Sequence, residues 1–326
     1  MRVLVTGGAG YIGSHLVDAL LARGDEVLVI DNLSTGKVAN LRDLLGDSRL
    51  HFINDSILNE SLLERFIPST DLIFHLAAAV GVRHILQDPL AAINTNVRGT
   101  EAVLGLAFKY WKRIVIASTS EIYGKASQVP FREDDDRVLG STAVTRWSYS
   151  MSKAIDEHFA FAYAAKGLPV SIVRYFNSYG PRIDERGYGS VVANFIREAL
   201  QGEPLTVHGD GKQTRCFTYI EDTIRGTLRA GEAPEAVGQA FNIGNPAETS
   251  ILELAKTVKR LTRSRSPLRF IPYEAYYGEG FEDTRRRVPA IEKATRLLGF
   301  TPRVSLEAGL RRTIHWCREH YALSGR

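Results

Sequence analysis

The sequence predicts an α/β chain: a doubly wound parallel sheet with a smaller C-terminal part interleaved into it. Short apolar runs alternate with amphipathic segments of helical period as far as residue 173, the order that builds parallel βαβ units. Residues able to carry chemistry also gather just after those runs, at the carboxyl edge where such sheets bind ligands.

Residues 2–6 form the first apolar run, ending in Thr6, and Gly7-Gly8-Ala9-Gly10-Tyr11-Ile12-Gly13 leads from it into the helical pattern Leu16, Leu20, Leu21. A strand that turns through glycines into a helix start lets backbone N–H groups and the helix dipole meet a pyrophosphate. A plain tight turn is the bland alternative, but the strand before and the helix after give the motif its proper context. The next strand, Glu26 to Ile30, ends in Asp31, close to where an acid accepts hydrogen bonds from an adenosine ribose. A carboxylate there repels a 2′-phosphate and so favours NAD over NADP.

His51 to Ile53, Asp71 to Phe74, Ile114 to Ala117 and Val170 to Val173 read as further strands, separated by helical patterns around residues 37–45, 60–66, 90–110 and 150–166. Asp55 and Ser56 follow the third strand, Ala77-Ala78-Ala79 the fourth, Thr119-Ser120-Glu121 the fifth and Asn177 the sixth. Each alone can be an ordinary loop residue, and their shared edge is what singles them out. Beyond residue 176 the alternation loosens at Gly180-Pro181, Gly187 to Gly189 and Gly209-Asp210-Gly211, and Ala240-Phe241-Asn242-Ile243 reads as a strand rejoining the sheet. The expected division is a dinucleotide-binding domain over 1–175, with a returning strand near 213–245, and a substrate domain from 176–212 and 246–326.

With 326 residues the chain exceeds the ~250 to 300 at which single cores stop growing, which also favours two lobes. A hydrophobic fraction of 44% and a charged fraction of 24% are those of an ordinary soluble protein. No apolar run approaches the ~20 residues that span a bilayer. Met1-Arg2-Val3-Leu4-Val5 reads as a strand rather than a signal peptide, so a cytoplasmic location is expected. Cys216 and Cys317 are too few for a disulfide framework or a cysteine zinc site, and no metal site is expected. The net charge is a modest +4, with clusters such as Arg285-Arg286-Arg287. Nothing resembles a nucleic-acid-binding module, so an anionic small molecule is the more economical partner.

Arg146-Trp147-Ser148-Tyr149-Ser150-Met151-Ser152-Lys153 places a phenol and an ammonium one helical turn apart. A phenol with a pKa of about 10 is a poor base at neutral pH, but a neighbouring cation lowers that value. Such a pair can take a proton from an alcohol, although the same spacing commonly marks a half-buried ring beside a solvated lysine.

Gly7, Gly10 and Gly13, with Thr119, Tyr149 and Lys153, closely resemble the extended short-chain dehydrogenase/reductase family of nucleotide-sugar epimerases, dehydratases and decarboxylases, built on a Rossmann sheet. The resemblance runs through Arg174 to Pro181, Gly211 to Arg215 and Asn242-Ile243-Gly244, over essentially the whole chain. It implies bound NAD and a nucleoside diphosphate sugar, probed first with UDP-sugars. On the cofactor side it implies Gly7, Gly10, Tyr11, Ile12, Gly13, Asp31 and Asn32, with Asp55 and Ser56 at the adenine. Ala77, Ala79, Asn96, Tyr149 and Lys153 complete that side. Thr119 and Glu121 join Tyr149 and Lys153 as catalytic groups. On the substrate side it implies Asn177 and Arg215 at the diphosphate, with Arg83, Ser120, Val192, Leu205, His208 and Arg287.

Thr119-Ser120-Glu121, the run around Tyr149, Tyr277 to Asp283 and Arg287-Val288-Pro289 look most like UDP-glucuronate decarboxylases, whereas Asp31-Asn32-Leu33-Ser34-Thr35-Gly36 looks like UDP-glucose 4-epimerases. Dehydratases commonly carry Asp where Ser120 stands, and family members often have Tyr or Phe at His208. Decarboxylation is thus the leading expectation, with 4-epimerisation and 4,6-dehydration as alternatives. A non-catalytic NAD-binding sensor is the alternative of another class, disfavoured because Thr119, Tyr149 and Lys153 are all present. The helices around 90–110 and 150–166 carry apolar residues on more than one face, as Ala160, Phe161, Ala164 and Ala165 show, and relatives pair such helices as homodimers.

Overall fold

A computed structural model describes residues 1–81, 85, 87–184, 190–273, 275 and 284–321. Arg83 and the run from Tyr277 to Asp283 lie outside the described residues. Seven parallel strands form the central sheet: β1 (Arg2–Thr6), β2 (Glu26–Ile30), β3 (Leu50–Ile53), β4 (Leu72–His75), β5 (Arg113–Thr119), β6 (Val170–Tyr175) and, returning at the far edge, β11 (Ala240–Ile243), in the order β11-β6-β5-β4-β1-β2-β3. The strands are apolar almost throughout because both faces are covered. Val3 and Val5 pack into one layer with Val27, Val29, Phe74 and Val173. Leu4 faces the other layer, with Leu28, Ile73, Ile116 and Ile172. The period of two along each strand therefore divides the core between two helical layers.

Helix α1 (Tyr11–Ala22) follows β1, α2 (Glu60–Phe66) follows β3, α3 (Pro89–Lys109) joins β4 to β5 and α4 (Trp147–Ala165) lies between β5 and β6. Three two-stranded pairs occupy the C-terminal half, formed by β7 (Ser178–Tyr179) with β10 (Thr218–Tyr219), β8 (Leu205–His208) with β13 (Leu268–Ile271) and β9 (Thr214–Cys216) with β12 (Glu248–Ser250). Helices α5 (Val191–Gln201), α6 (Ile220–Glu232), α7 (Ile251–Thr262), α8 (Glu292–Leu298) and α9 (Leu306–Tyr321) complete the fold.

The helix expected around 37–45 is instead a 3-10 segment, Val38–Leu44. The Lys37 amide and the Asn40 side chain both donate to the Ala9 carbonyl, at 3.0 and 2.9 Å. These bonds fasten the segment to the glycine turn and favour tight, locally constrained geometry over a free-standing helix. Helix α4 also starts at Trp147, ahead of the expected 150, so Tyr149 sits in its first turn. Its orientation is fixed from below: Arg174 on β6 donates to Glu157 on α4 through Nε at 3.0 Å and Nη2 at 2.7 Å, both side chains buried. That two-point geometry holds the helix rotation that aims Tyr149 and Lys153 at the sheet edge.

Candidate active site

The chain leaves β1 for β2 in one direction and later places β4 on the other side of β1, so the strand order reverses between β1 and β4. Crevices open at such switch points, outside the carboxyl ends of the strands. A cleft of about 420 Å³ lies here. Its walls include Gly7, Gly10, Tyr11, Ile12 and Gly13 from the first turn, Asp31 and Asn32 after β2, Asp55 after β3 and Ala77 after β4. Thr119, Ser120, Glu121, Tyr149, Lys153, Asn177 and Arg287 line the same cleft.

The glycine turn is shaped for close approach. Gly7 has φ +74, and a Cβ on it would meet the Ala77 amide nitrogen at 2.7 Å, while one on Gly13 would fall 2.1 Å from the Gly7 carbonyl oxygen. Gly10, the N-cap of α1, supplies no side-chain cap, and no acidic residue stands in the first turn. This suits a pyrophosphate. Asp31 accepts from the Ala9 amide at 2.9 Å and the Leu33 amide at 2.8 Å, tying the turn to the end of β2. Burial pushes its carboxyl upward, opposed by hydrogen bonds from Leu33, Ala9 and Gly10. The residues present therefore fit a dinucleotide.

Asp55 accepts from the Ser56 amide at 2.6 Å and from the Asn59 side chain at 3.0 Å. Ser56 lies behind the cleft wall, its hydroxyl accepting from the Leu58 amide. Asn96 and Ala79 also stand one layer back. The Asn96 side chain accepts from the Ala79 amide at 2.7 Å and donates to Ser152 Oγ at 3.1 Å, clamping the loop after β4 to α3 and α4.

At the far end of the cleft, the Tyr149 phenol stands beside the Thr119 hydroxyl. Burial pushes the phenol upward, and the Glu121 and Asp156 carboxylates push the same way, while the Thr119 hydroxyl opposes them. The sequence-based expectation of a phenol lowered by Lys153 is reversed. The lysine ammonium is turned to Asp156, donating to Oδ2 at 2.6 Å.

Glu121 is bracketed by two guanidinium groups, with Arg146 Nη1 at 3.3 Å and Arg287 Nη1 at 3.7 Å. Ser150 Oγ donates to the Glu121 carbonyl at 2.7 Å, fixing this segment against α4. Arg146, buried beside the Trp147 ring at 5.6 Å, was not singled out from the sequence. Its position three residues before Tyr149 is the local signal that would have found it, since that spacing shares a helical face.

Asn177 holds a positive φ of 37 and donates through Nδ2 to the Cys216 carbonyl at 3.1 Å. Val192, Leu205, His208 and Arg215, also expected on the substrate side, are not walls of this cleft. Val192 and Leu205 pack into the core. Arg215 is buried and donates to the Thr214 and Thr284 carbonyls at 2.7 and 2.8 Å. His208 meets the Tyr273 ring at 6.5 Å, and Tyr273, Gln213, Thr284, Arg285 and Asp210 line a separate hollow of about 190 Å³. Among the described residues, no cluster of His, Cys, Asp and Glu has the makings of a metal site.

A dinucleotide-type cleft with Thr119, Tyr149 and Lys153 at its end defines a class of Rossmann-fold enzymes. The chain belongs to the GDP-mannose 4,6-dehydratase family, whose sequence model matches residues 4–313. It is 44% identical over 318 residues to a UDP-N-acetyl-alpha-D-glucosaminuronate decarboxylase of Bacillus cytotoxicus, covering 98% of each chain. It is 39% identical to UDP-glucuronic acid decarboxylase 1 of Danio rerio, over 97% of this chain and 72% of that one. The solved structure of a UDP-glucuronic acid 4-epimerase from Bacillus cereus, in complex with UDP-glucuronic acid and NAD, superposes with a TM-score of 0.88 at 32% identity, covering 98% of this chain and 99% of the other.

Proposed function

We propose that the chain is an NAD-dependent decarboxylase of UDP-hexuronates, UDP-glucuronate foremost, acting through transient oxidation at sugar C4. The observation that carries this reading is Glu121 bracketed by Arg146 and Arg287 in the same cleft as Tyr149. Relatives named as decarboxylases of two uronate sugars support it. NAD bound against the glycine turn supplies a hydride acceptor for C4. Tyr149 then takes the C4 hydroxyl proton, with Thr119 holding the phenol and Lys153 supplying positive charge beside it. A 4-keto sugar bearing a C5 carboxylate is a β-keto acid and loses carbon dioxide readily. Glu121 and Arg287 manage the carboxylate and the proton returned to the resulting enol, and Arg146 fixes Glu121. Ser120 stands where a dehydratase would need an acid.

We place the cofactor with residues 1–175 and the strand returning near 213–245. The nucleotide sugar is assigned to 176–212 and 246–326, where Asn177 and Arg215 would meet the diphosphate and His208 the base. Arg83 is kept as a candidate at the sugar. These substrates suit a cytoplasmic location; among the described residues no helix is long and apolar enough to cross a membrane. The test is incubation with UDP-glucuronate, UDP-N-acetylglucosaminuronate and UDP-glucose separately, with NMR of the products. Release of carbon dioxide from a uronate supports decarboxylation. A C4-inverted sugar without carbon dioxide supports the epimerase reading, which the Bacillus cereus structure favours.

Asp31 leads to a cofactor prediction. NAD should bind more tightly than NADP, because a 2′-phosphate would approach a carboxylate already fixed by two backbone amides. Titration of both cofactors checks this, and tighter NADP binding contradicts it.

A homodimer through α3 and α4 is also expected. Leu90 and Ile93 on α3, and Met151 and Phe161 on α4, are exposed apolar side chains on neighbouring helices. Light scattering at working concentration should give twice the chain mass, and a strictly monomeric mass would contradict it.

A further inference from the structure

We infer that Asp156 is a positioning residue for the Tyr149–Lys153 pair, holding the Lys153 ammonium in a buried ion pair and thereby tempering the charge it presents to the phenol. The inference rests on the proposed role of Tyr149 as base. Asp156 lies one helical turn beyond Lys153 on α4, and Lys153 Nζ donates to its Oδ2 at 2.6 Å, with side-chain exposures of 3% and 0%. An exposed pair of this kind contributes little, but one shielded from water acts strongly on its neighbours.

A buried chain of hydrogen bonds also crosses the sheet edge from β1 to α3. Thr6 Oγ1 on β1 lies 2.8 Å from His75 Nδ1 on β4, and His75 Nε2 lies 3.0 Å from Thr100 Oγ1 on α3. Burial pushes the Asp156 carboxyl upward and the Lys153 ammonium opposes that push, while Asp156 Oδ1 stays buried without a hydrogen-bond partner. The chain reaches the glycine turn, because Thr6 Oγ1 accepts from the Ala77 amide at 3.3 Å. Burial, aided by the Lys153 charge, pushes His75 down to about 3, so it is a neutral link and adds no second cation.

The other charged groups facing this pocket are few. Glu157 on α4 acts on Asp156 but is held by Arg174 on β6 and Ser118 on β5. Glu121, after β5, opposes Tyr149 ionisation and is bracketed by Arg146 and Arg287. Asp156 is thus the carboxylate that meets both members of the pair: it binds the ammonium and opposes the phenolate. Removing its charge should leave Lys153 free to favour phenolate.

The test is Asp156→Asn, followed by NMR of protein carrying tyrosine labelled with carbon-13 at Cζ. The signal lost in Tyr149→Phe identifies Tyr149. In Asp156→Asn the phenolate fraction of Tyr149 at a given alkaline pH should rise by about tenfold or more, a shift of about one pKa unit. The acid limb of the kcat profile should move to lower pH in the same direction. A purely structural role would lower the melting temperature and leave the Tyr149 signal where it is. A folded variant with an unmoved signal overturns the inference. Should Asp156→Asn not fold, Asp156→Ser removes the same charge with a smaller neutral side chain; a shift in the same direction supports the inference, and no shift overturns it. If Tyr149→Phe kept full activity, the base assignment would fail whatever the NMR shows, so the two failures are distinguishable.

Discussion

Tyr149→Phe is expected to lower turnover by about two to four orders of magnitude, the usual cost of removing a positioned general base. The substitution removes one hydroxyl, which stands beside that of Thr119. The aromatic ring, which packs against Ala79, Ile85 and Ala92, remains. NAD binding and the melting temperature should therefore stay close to wild type, separating loss of chemistry from loss of structure. Steady-state kinetics on UDP-glucuronate, with a cofactor titration alongside, checks both parts. Wild-type turnover in the variant would remove Tyr149 from the mechanism.

The second large effect is expected at the bracketed carboxylate. Glu121→Gln keeps the shape of the side chain but removes the charge that Arg146 and Arg287 face, and Arg287→Met removes one of those guanidinium groups. Either change should suppress carbon dioxide release by about a hundredfold or more, the lower range for a proton-transfer group, before it weakens NAD binding. The reason is spatial: the glycine turn and Asp31 stand at the opposite end of the cleft from Glu121, and neither substitution touches them. Loss of cofactor binding in step with loss of decarboxylation would contradict the assignment.

What could be read from the sequence was the part written in local periodicity. Val3, Leu4 and Val5 announce a strand buried on both faces, and the glycines at 7, 10 and 13 announce the turn, because each signal lies within a few residues of the structure it specifies. The spacing of Tyr149 and Lys153 was equally legible. What lay beyond reach was set by residues far apart in the chain. The segment Val38–Leu44 has a helical-looking pattern, yet its hydrogen bonds to Ala9 across the sheet edge decide its geometry. His75 and Thr100 meet only because α3 crosses back over the sheet, and Arg287 reaches Glu121 from the other end of the chain. The direction of the lysine is the instructive case. Asp156, at the i+3 position, shares a face with Lys153, and that spacing was available in the sequence. Its burial, which turns an ordinary surface pair into a strong local field, was not.

The most direct test of the proposed chemistry is the fate of the C6 carbon. UDP-glucuronate labelled with carbon-13 at C6, incubated with the protein and NAD, should release the label as carbon dioxide and leave UDP-xylose or its 4-keto precursor in the NMR spectrum. Formation of UDP-galacturonate with the label retained would contradict decarboxylation and leave an epimerase in its place.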